Sequence, residues 1–514
     1  MVVAVTATAH AQMRIGNGGE PESLDPQKAQ TVSAMNVVRD LYEGLTVIGP
    51  GGTPGPGAAE RWDVAADGLQ YVFHLRAGGR WSDGTPVTAE DFAAALRRAV
   101  DPASGAVYGA VLAPIAGAPA ILAGRAPAAQ LGVTAVDPLT LRVQLAQPAP
   151  HLPALLALPV AMPLHGPGWR EFREGFARPG RMVGNGAFVL QEWTRHARIA
   201  LVRNPHYWNA GAVALDRVTY VPTEDRHAEV KRFRTGELDA TFSAPAVDVP
   251  RLRAGLGEAL RVAPYLQTYY VGFNCTRAPF AQAPALRQAL GLALDRELLV
   301  ARLLQGVGAP AYGFVPPAVH GYDAATPAWA AWSAGQRLAE ARRLYAAAGY
   351  GPKHPLRFEL RHGSNPNDRR MATIVAAMWR QGLGVDVRLA HQELRGYVAE
   401  LRQRVRTEAF LWDWVGDYDD ATTFLDVLRQ DRRQNYTGWS DATYEALLDA
   451  AGAQPDAAHR ATLLRQAEAR LLDAAPLAPL YFGASAHLVQ PWVEGWRDDP
   501  LDYHYARDLR VRPH

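Results

Sequence analysis

Four carboxylates and three aromatic rings crowd into nine residues, Trp412-Asp413-Trp414-Val415-Gly416-Asp417-Tyr418-Asp419-Asp420. At this density carboxylates can form an acid–base pair, ligate calcium, solvate a turn or seat a cationic ligand. A calcium loop counted from Asp413 needs glycine at its sixth position and glutamate at its twelfth; the sequence has Tyr418 and Phe424. A glycosidase pair needs only two carboxylates, so spacing leaves a secreted hydrolase open. The other enzyme constellations are missing: there is no G-x-x-x-x-G-K-[ST] loop, no G-x-S-x-G elbow and no H-E-x-x-H. The 15 histidines are scattered, with His151 and His165 in a proline-rich stretch and His362 and His391 near strand ends. The one cysteine, Cys275, permits no internal disulfide and no cysteine-based metal site, and it reads as a small buried residue. Neither a metal nor a cofactor is expected.

The elements that must position the acidic stretch alternate between helix and strand. Tyr71–Arg76 alternates in strand fashion, and Trp81-Ser82-Asp83-Gly84 supplies a turn. Thr88 opens an amphipathic helix that runs through Val100, with Asp91 at the capping-box position. Asp137–Leu145 reads as a turn and a strand, Arg198–Arg203 and Arg217–Val221 as strands, and Glu229–Thr235 as a short helix. Long helical patterns follow at Ala285–Leu304, Ser333–Ala348, Asn367–Gln381, Ala442–Gly452 and Ala457–Leu472, with strands at Val385–Leu389 and Ala478–Val489. The mixture predicts the α/β class, and the change of texture near residue 270 predicts a lobe boundary.

With 514 residues the chain exceeds one ordinary core, so two or three lobes are expected. Its 53 basic and 51 acidic residues leave a net charge of +2, which argues against nucleic acid or an anionic membrane as partner. Val2–Ala9 is small and apolar, and Ala9-His10-Ala11 fits a signal-peptide cleavage site. Residues 1–11 therefore read as the remnant of a signal peptide whose start lies upstream of Met1, with a frayed tail as the alternative. The most apolar internal stretch, Pro153–Leu164, is short and broken by Pro159 and Pro163, so an exported, soluble chain is expected.

A series of phrases in fixed order carries a resemblance: SLDPQ at 23–27, RDLYEGL at 39–45, AERWDV at 59–64, FHLR and GGRWSDGTPVTAEDF within 73–92, VGNGAFVLQEW at 183–193, RNPHYWN at 203–209, FRTGELDA at 233–240, AYGFVPP at 311–317 and GDYDDATTFLD at 416–426. With QPWVEG at 490–495 and DPLD at 499–502, the chain resembles the periplasmic oligopeptide-binding proteins, the family-5 solute receptors of ABC importers, from about residue 13 onward. The resemblance implies a type II-like periplasmic binding protein fold of the cluster C kind: two lobes joined by a hinge, plus an extra domain. Carried onto this chain, lobe I is 12–42, 167–268 and 486–514, the extra domain 43–166, and lobe II 269–485. It implies a non-enzymatic, monomeric, periplasmic receptor that passes short peptides to an inner-membrane ABC permease. Ligands of other kinds within the family (murein peptide, nickel complex, haem, sugar) stay open.

The family anchors the peptide α-ammonium on an aspartate in a W-x-x-D-Y phrase, here Trp414-Val415-Gly416-Asp417-Tyr418, which implies Asp417. The alternative is that Asp417 caps the helix beginning near Ala421, a role that Asp419 or Asp420 suits better. The resemblance further implies pairing of the peptide main chain with extended segments at Gln30–Ser33 (Gln30, Thr31 and Val32) and Trp412–Asp417. It implies cleft aromatics at Trp414, Tyr108, Tyr269 and Tyr481. Cationic or imidazole groups of relatives, which receive the ligand's carboxylate, are replaced here by Leu304, Asp368 and Leu411, leaving Arg402 as the expected carboxylate partner. Relatives' disulfide positions are Gln267 and Val415. These departures admit a ligand with a basic C-terminal end. Strand alternation turns Asp413 away from Trp412 and Trp414.

Overall fold

Period-two alternation does build the strands. The computed structural model describes residues 11–513, so the expected signal-peptide remnant lies outside the described residues except for Ala11. In Gln70–Leu75 the buried side chains are Tyr71, Phe73 and Leu75. Antiparallel register sets Tyr71 opposite Val143 and Phe73 opposite Leu141 of Thr140–Gln144. Ala59–Val64 and Val133–Asp137 complete this four-stranded sheet. Helix Ala89–Val100 packs on Val133–Asp137 and buries Phe92, Leu96 and Val100. Its start is sealed as the sequence predicts: Thr88 N and Oγ1 donate to Asp91 Oδ2 at 2.8 and 2.9 Å. The turn and strand expected over Asp137–Leu145 form as read: Asp137 Oδ1 accepts from Leu139 N, and the turn joins Val133–Asp137 to Thr140–Gln144 as a hairpin.

The chain divides into two units. The first runs to Val262 and resumes at Ser485. Besides the sheet above, it holds a second one in which Gln12–Gly16 runs parallel to Arg217–Val221, followed by Arg198–Arg203 and Phe188–Thr194, both antiparallel. The second unit is Ala263–Ala484. Its six-stranded mixed sheet has the order Ala309–Pro310, Leu477–Leu488, Leu260–Phe273, Ala409–Val415, Arg357–Gly363, Asp386–Gln392. Both passages between units fall inside strands, Leu260–Phe273 and Leu477–Leu488. Among the described residues no helix is long and apolar enough to cross a membrane.

The core of the second unit packs Val271, Phe273, Leu290, Leu360, Val375, Trp379 and Leu411. The single helix expected over Ala285–Leu304 is corrected to two, Pro284–Leu292 and Arg296–Leu303. Asp295 breaks it by accepting from Leu298 N at 2.9 Å, a cap that needs non-helical backbone. The buried guanidinium of Arg296 then takes the Gly291 and Leu294 carbonyls at 3.0 and 3.2 Å, and those of Ala311 and Pro479 at 2.8 Å. Buried Glu468 fixes the loop after Ala311, accepting from Phe314 N, Val315 N, Ala325 N and Tyr322 Oη at 2.8–2.9 Å.

Candidate functional site

The acidic stretch begins as an inner strand and ends as a loop. Ala409–Val415 pairs along its whole length with Leu260–Phe273, from Gln267 opposite Val415 to Phe273 opposite Ala409. On its other side Arg357–Gly363 pairs only with Ala409 and Phe410. Among the described residues no strand therefore covers that edge of Trp412–Val415, which leaves main-chain groups free to accept a further strand. The expected extended segment to Asp417 is corrected at its end: the strand stops at Val415, because Gly416 N donates to Leu266 O at 2.7 Å and Asp417 N to Thr423 Oγ1 at 2.9 Å. Gly416 sits where a Cβ would lie 3.2–3.3 Å from Phe424, Thr423 and Leu266, so the close approach suits glycine.

The four carboxylates divide sharply by partner. Asp420 is paired with Arg460 through two contacts of 2.8 and 2.9 Å and accepts from Thr422 N at 2.9 Å, at the start of helix Thr422–Leu425. Asp419 Oδ1 accepts from His320 N at 2.8 Å. Asp413 Oδ2 accepts from Gln267 Nε2 at 2.7 Å. The carboxylate of Asp417 has no hydrogen-bond or ion-pair partner among the described residues, and burial alone pushes its pKa up to about 6. A carboxylate placed this way costs the ligand-free fold free energy.

The strand and those beyond it in the sheet carry aromatic side chains. Trp414 is half-buried, and its buried indole N–H lacks a partner among the described residues. Tyr269 and Tyr481 stack at 4.9 Å and 9°, and Tyr269 Oη donates to Asp368 Oδ1 at 2.7 Å. The second unit thus brings Trp414, Val415, Gly416 and Asp417 onto one short segment, and sets Tyr269 and Tyr481 beside Asp413 and Asp368. Arg402 is exposed on helix Leu394–Gln403 and faces Tyr436, whose ring packs edge-on against Trp412 at 5.3 Å.

The other sequence-derived residues belong to the first unit. Thr31 caps helix Val32–Leu41 by accepting from Ala34 N at 3.2 Å, which corrects the expectation of an extended Gln30–Ser33: Val32 and Ser33 are already helical. The backbone N–H groups of Gln30 and Thr31 both donate to Glu22 Oε1. Val32 is 44% exposed, unusual for valine. Tyr108 is half-buried at the start of the turn Gly109–Leu112. Sequence reasoning missed Gln267 as the holder of Asp413, and Asp368 as the acceptor for Tyr269. Register across two strands supplies the first, and a fold contact the second, so no local pattern signalled either.

A sequence profile of bacterial extracellular solute-binding proteins, family 5 Middle, matches residues 53–436. The chain belongs to family 5 of these solute-binding proteins. It is 35% identical over 502 residues to the periplasmic oligopeptide-binding protein OppA of Escherichia coli (strain K12), covering 97% of this chain and 92% of the relative. It is 36% identical over 504 residues to the probable deoxycholate-binding periplasmic protein YgiS of the same strain, covering 98% and 94%. Among solved structures it is similar to the E. coli murein tripeptide binding protein MppA, with a TM-score of 0.87, 34% identity, and 98% and 99% of the two chains covered. The fold class expected from the sequence, α/β of the type II-like periplasmic binding kind, is the one family 5 shares.

Proposed function

We propose that the protein is the periplasmic receptor of an ABC importer, that it performs no chemistry of its own, and that it binds short peptides by a free N-terminus. The observation that carries this reading is Asp417, a half-buried carboxylate with no partner among the described residues. An incoming α-ammonium neutralises it in a site stripped of water, where a fixed carboxylate is worth most. The uncovered edge of Trp412–Val415 supports main-chain pairing with the ligand, which reads backbone rather than side chains and so admits many sequences. The names of two relatives, one binding oligopeptides and one a murein tripeptide, point the same way. The name of a third points to deoxycholate, a bile-acid anion. Asp417, Asp413 and Asp368 repel an anion, so charge favours the amine.

In this reading the first unit contains the extra domain 43–166 and lobe I up to Val262 and from 486 onward. The second unit offers Trp414–Asp417, Tyr269 and Tyr481 to the ligand. The guanidinium of Arg402, the expected partner of the ligand's carboxylate, is turned toward Tyr436. The loaded receptor, as a monomer, then docks on an inner-membrane permease. Mass spectrometry of ligand carried through purification tests the reading. Peptides with free N-termini are expected. If none co-purifies and none raises the melting temperature, the peptide reading fails, and turnover of a peptide or glycan by the pure protein would restore the hydrolase alternative.

A further inference from the structure

Beyond Asp417, the second unit brings two further carboxylates together, one of which, Asp368, also accepts from Asn365 Nδ2 at 2.6 Å. Asp413 projects from strand Ala409–Val415 beside Gln267 and Tyr269, its neighbours on strand Leu260–Phe273. Asp368, from the first turn of helix Pro366–Leu383, reaches the same place and accepts from Tyr269 Oη. Burial pushes the Asp413 carboxyl up to about 6, against the Gln267 bond and with a smaller push from the charge of Asp368. Neither carboxylate forms an ion pair with a described residue. His362, which feels the charge of Asp368, is lowered by burial, and its Nδ1 is engaged by Gly363 O at 2.7 Å.

Tyr481 supplies an independent sign of a missing partner. It is only 9% exposed and stacks face to face on Tyr269. Its hydroxyl has no hydrogen-bond partner among the described residues, yet it is close enough to Asp413 and Asp368 for both charges to raise it. Two stacked phenol rings and two carboxylates offer apolar walls with a negative floor. That combination accepts the methylene stem and charged head of a basic side chain, by cation–π contact along the rings and charge-assisted hydrogen bonds at the end.

We infer that Asp413 and Asp368, walled by Tyr269 and Tyr481, form a second subsite that takes a lysine, arginine or diamino-acid side chain of the bound peptide. The inference rests on the peptide reading of Asp417. Asp413 and Asp417 lie four residues apart, a span of at most ~13 Å of extended chain. A peptide anchored at Asp417 by its α-ammonium and laid along the open edge reaches Asp413 with its third or fourth residue.

The test uses the full chain freed of bound ligand and the tetrapeptides Ala-Ala-X-Ala and Ala-Ala-Ala-X, with X as lysine, arginine, norleucine or glutamate, titrated calorimetrically. In the wild type the lysine and arginine peptides of one series are expected to bind at least about tenfold tighter than norleucine, with glutamate weakest. In Asp413→Asn, which keeps the Gln267 contact, and in Asp368→Asn, which keeps an acceptor for Tyr269, the lysine-to-norleucine ratio should fall below about threefold. A wild-type ratio below threefold in both series, or a ratio undiminished in both variants, overturns the subsite and leaves the peptide reading standing. If no member of either series binds or shifts the melting temperature, the peptide reading falls and the subsite with it.

Discussion

Replacing Asp417 by asparagine should make the protein more stable and a worse receptor at once. The carboxyl's pKa rises from an ordinary 3.8 to about 6, by burial alone. At ~1.4 kcal/mol per unit, the ionised group costs the empty fold up to ~3 kcal/mol at pH 7, discounted to about 1–3 because the side chain is only partly shielded from solvent. The sign follows from proton counts. Below pH 3.8 both folded and unfolded chains hold the proton, and nothing is lost. Between about pH 4 and 6 the folded chain keeps a proton that the unfolded chain has released, so stability from this group falls as pH rises, then levels off. Asp417→Asn removes that slope, and the ligand-free melting temperature at pH 7.5 should rise.

Binding should move the other way. Ammonium on Asp417 is a buried ion pair, and loss of one partner costs about 3–5 kcal/mol, roughly a hundredfold to a few thousandfold in affinity. Calorimetric titration of trialanine against wild type and Asp417→Asn, with N-acetyl-trialanine as the second ligand, reads both terms. Acetylation should weaken wild-type binding by a similar factor and hardly matter to the variant, because each change removes one half of the same pair. An Asp417→Asn protein that melts lower than wild type, or that binds trialanine within threefold of it, would refute the assignment of Asp417 as an unpaired seat for a cation.

Other expectations follow from the same surroundings. Gly416→Val should lower the melting temperature, by an amount equivalent to about 1–3 kcal/mol, because its Cβ would crowd Phe424, Thr423 and Leu266, which denaturant titration can measure. Arg460→Met strips Asp420 of both guanidinium contacts and should cost about 3–5 kcal/mol in the same assay, whereas a change under 0.5 kcal/mol would mean the pair is solvated. Glu468→Leu leaves three backbone N–H groups and the Tyr322 hydroxyl without their acceptor; at ~1–3 kcal/mol each, this should be among the most destabilising single changes in the second unit.

What the sequence reveals about this site is set by how local the physics is. The capping box of Thr88 and Asp91 is written in four consecutive residues, and the structure forms it where it was read. Asp295 is as local, yet a helical pattern running through it masked the cap, because apolar periodicity continues across the break and only the non-helical backbone of Asp295 reveals it. The acidic stretch needed more than pattern. Its residues alone left four roles open, and what separates them is whom each carboxylate meets: Arg460 for Asp420, His320 N for Asp419, Gln267 for Asp413. Two of these three partners, Arg460 and His320, stand on no strand adjoining the stretch, and the third, Gln267, is 146 residues away, so composition and spacing could not assign them. Asp417 is legible in the opposite sense. A charge buried without a partner is costly to keep, and a fold retains such a group where something outside the chain completes it. The same argument, applied to Tyr481 and the two carboxylates it faces, extends the receptor's reading from the end of a peptide to one of its side chains.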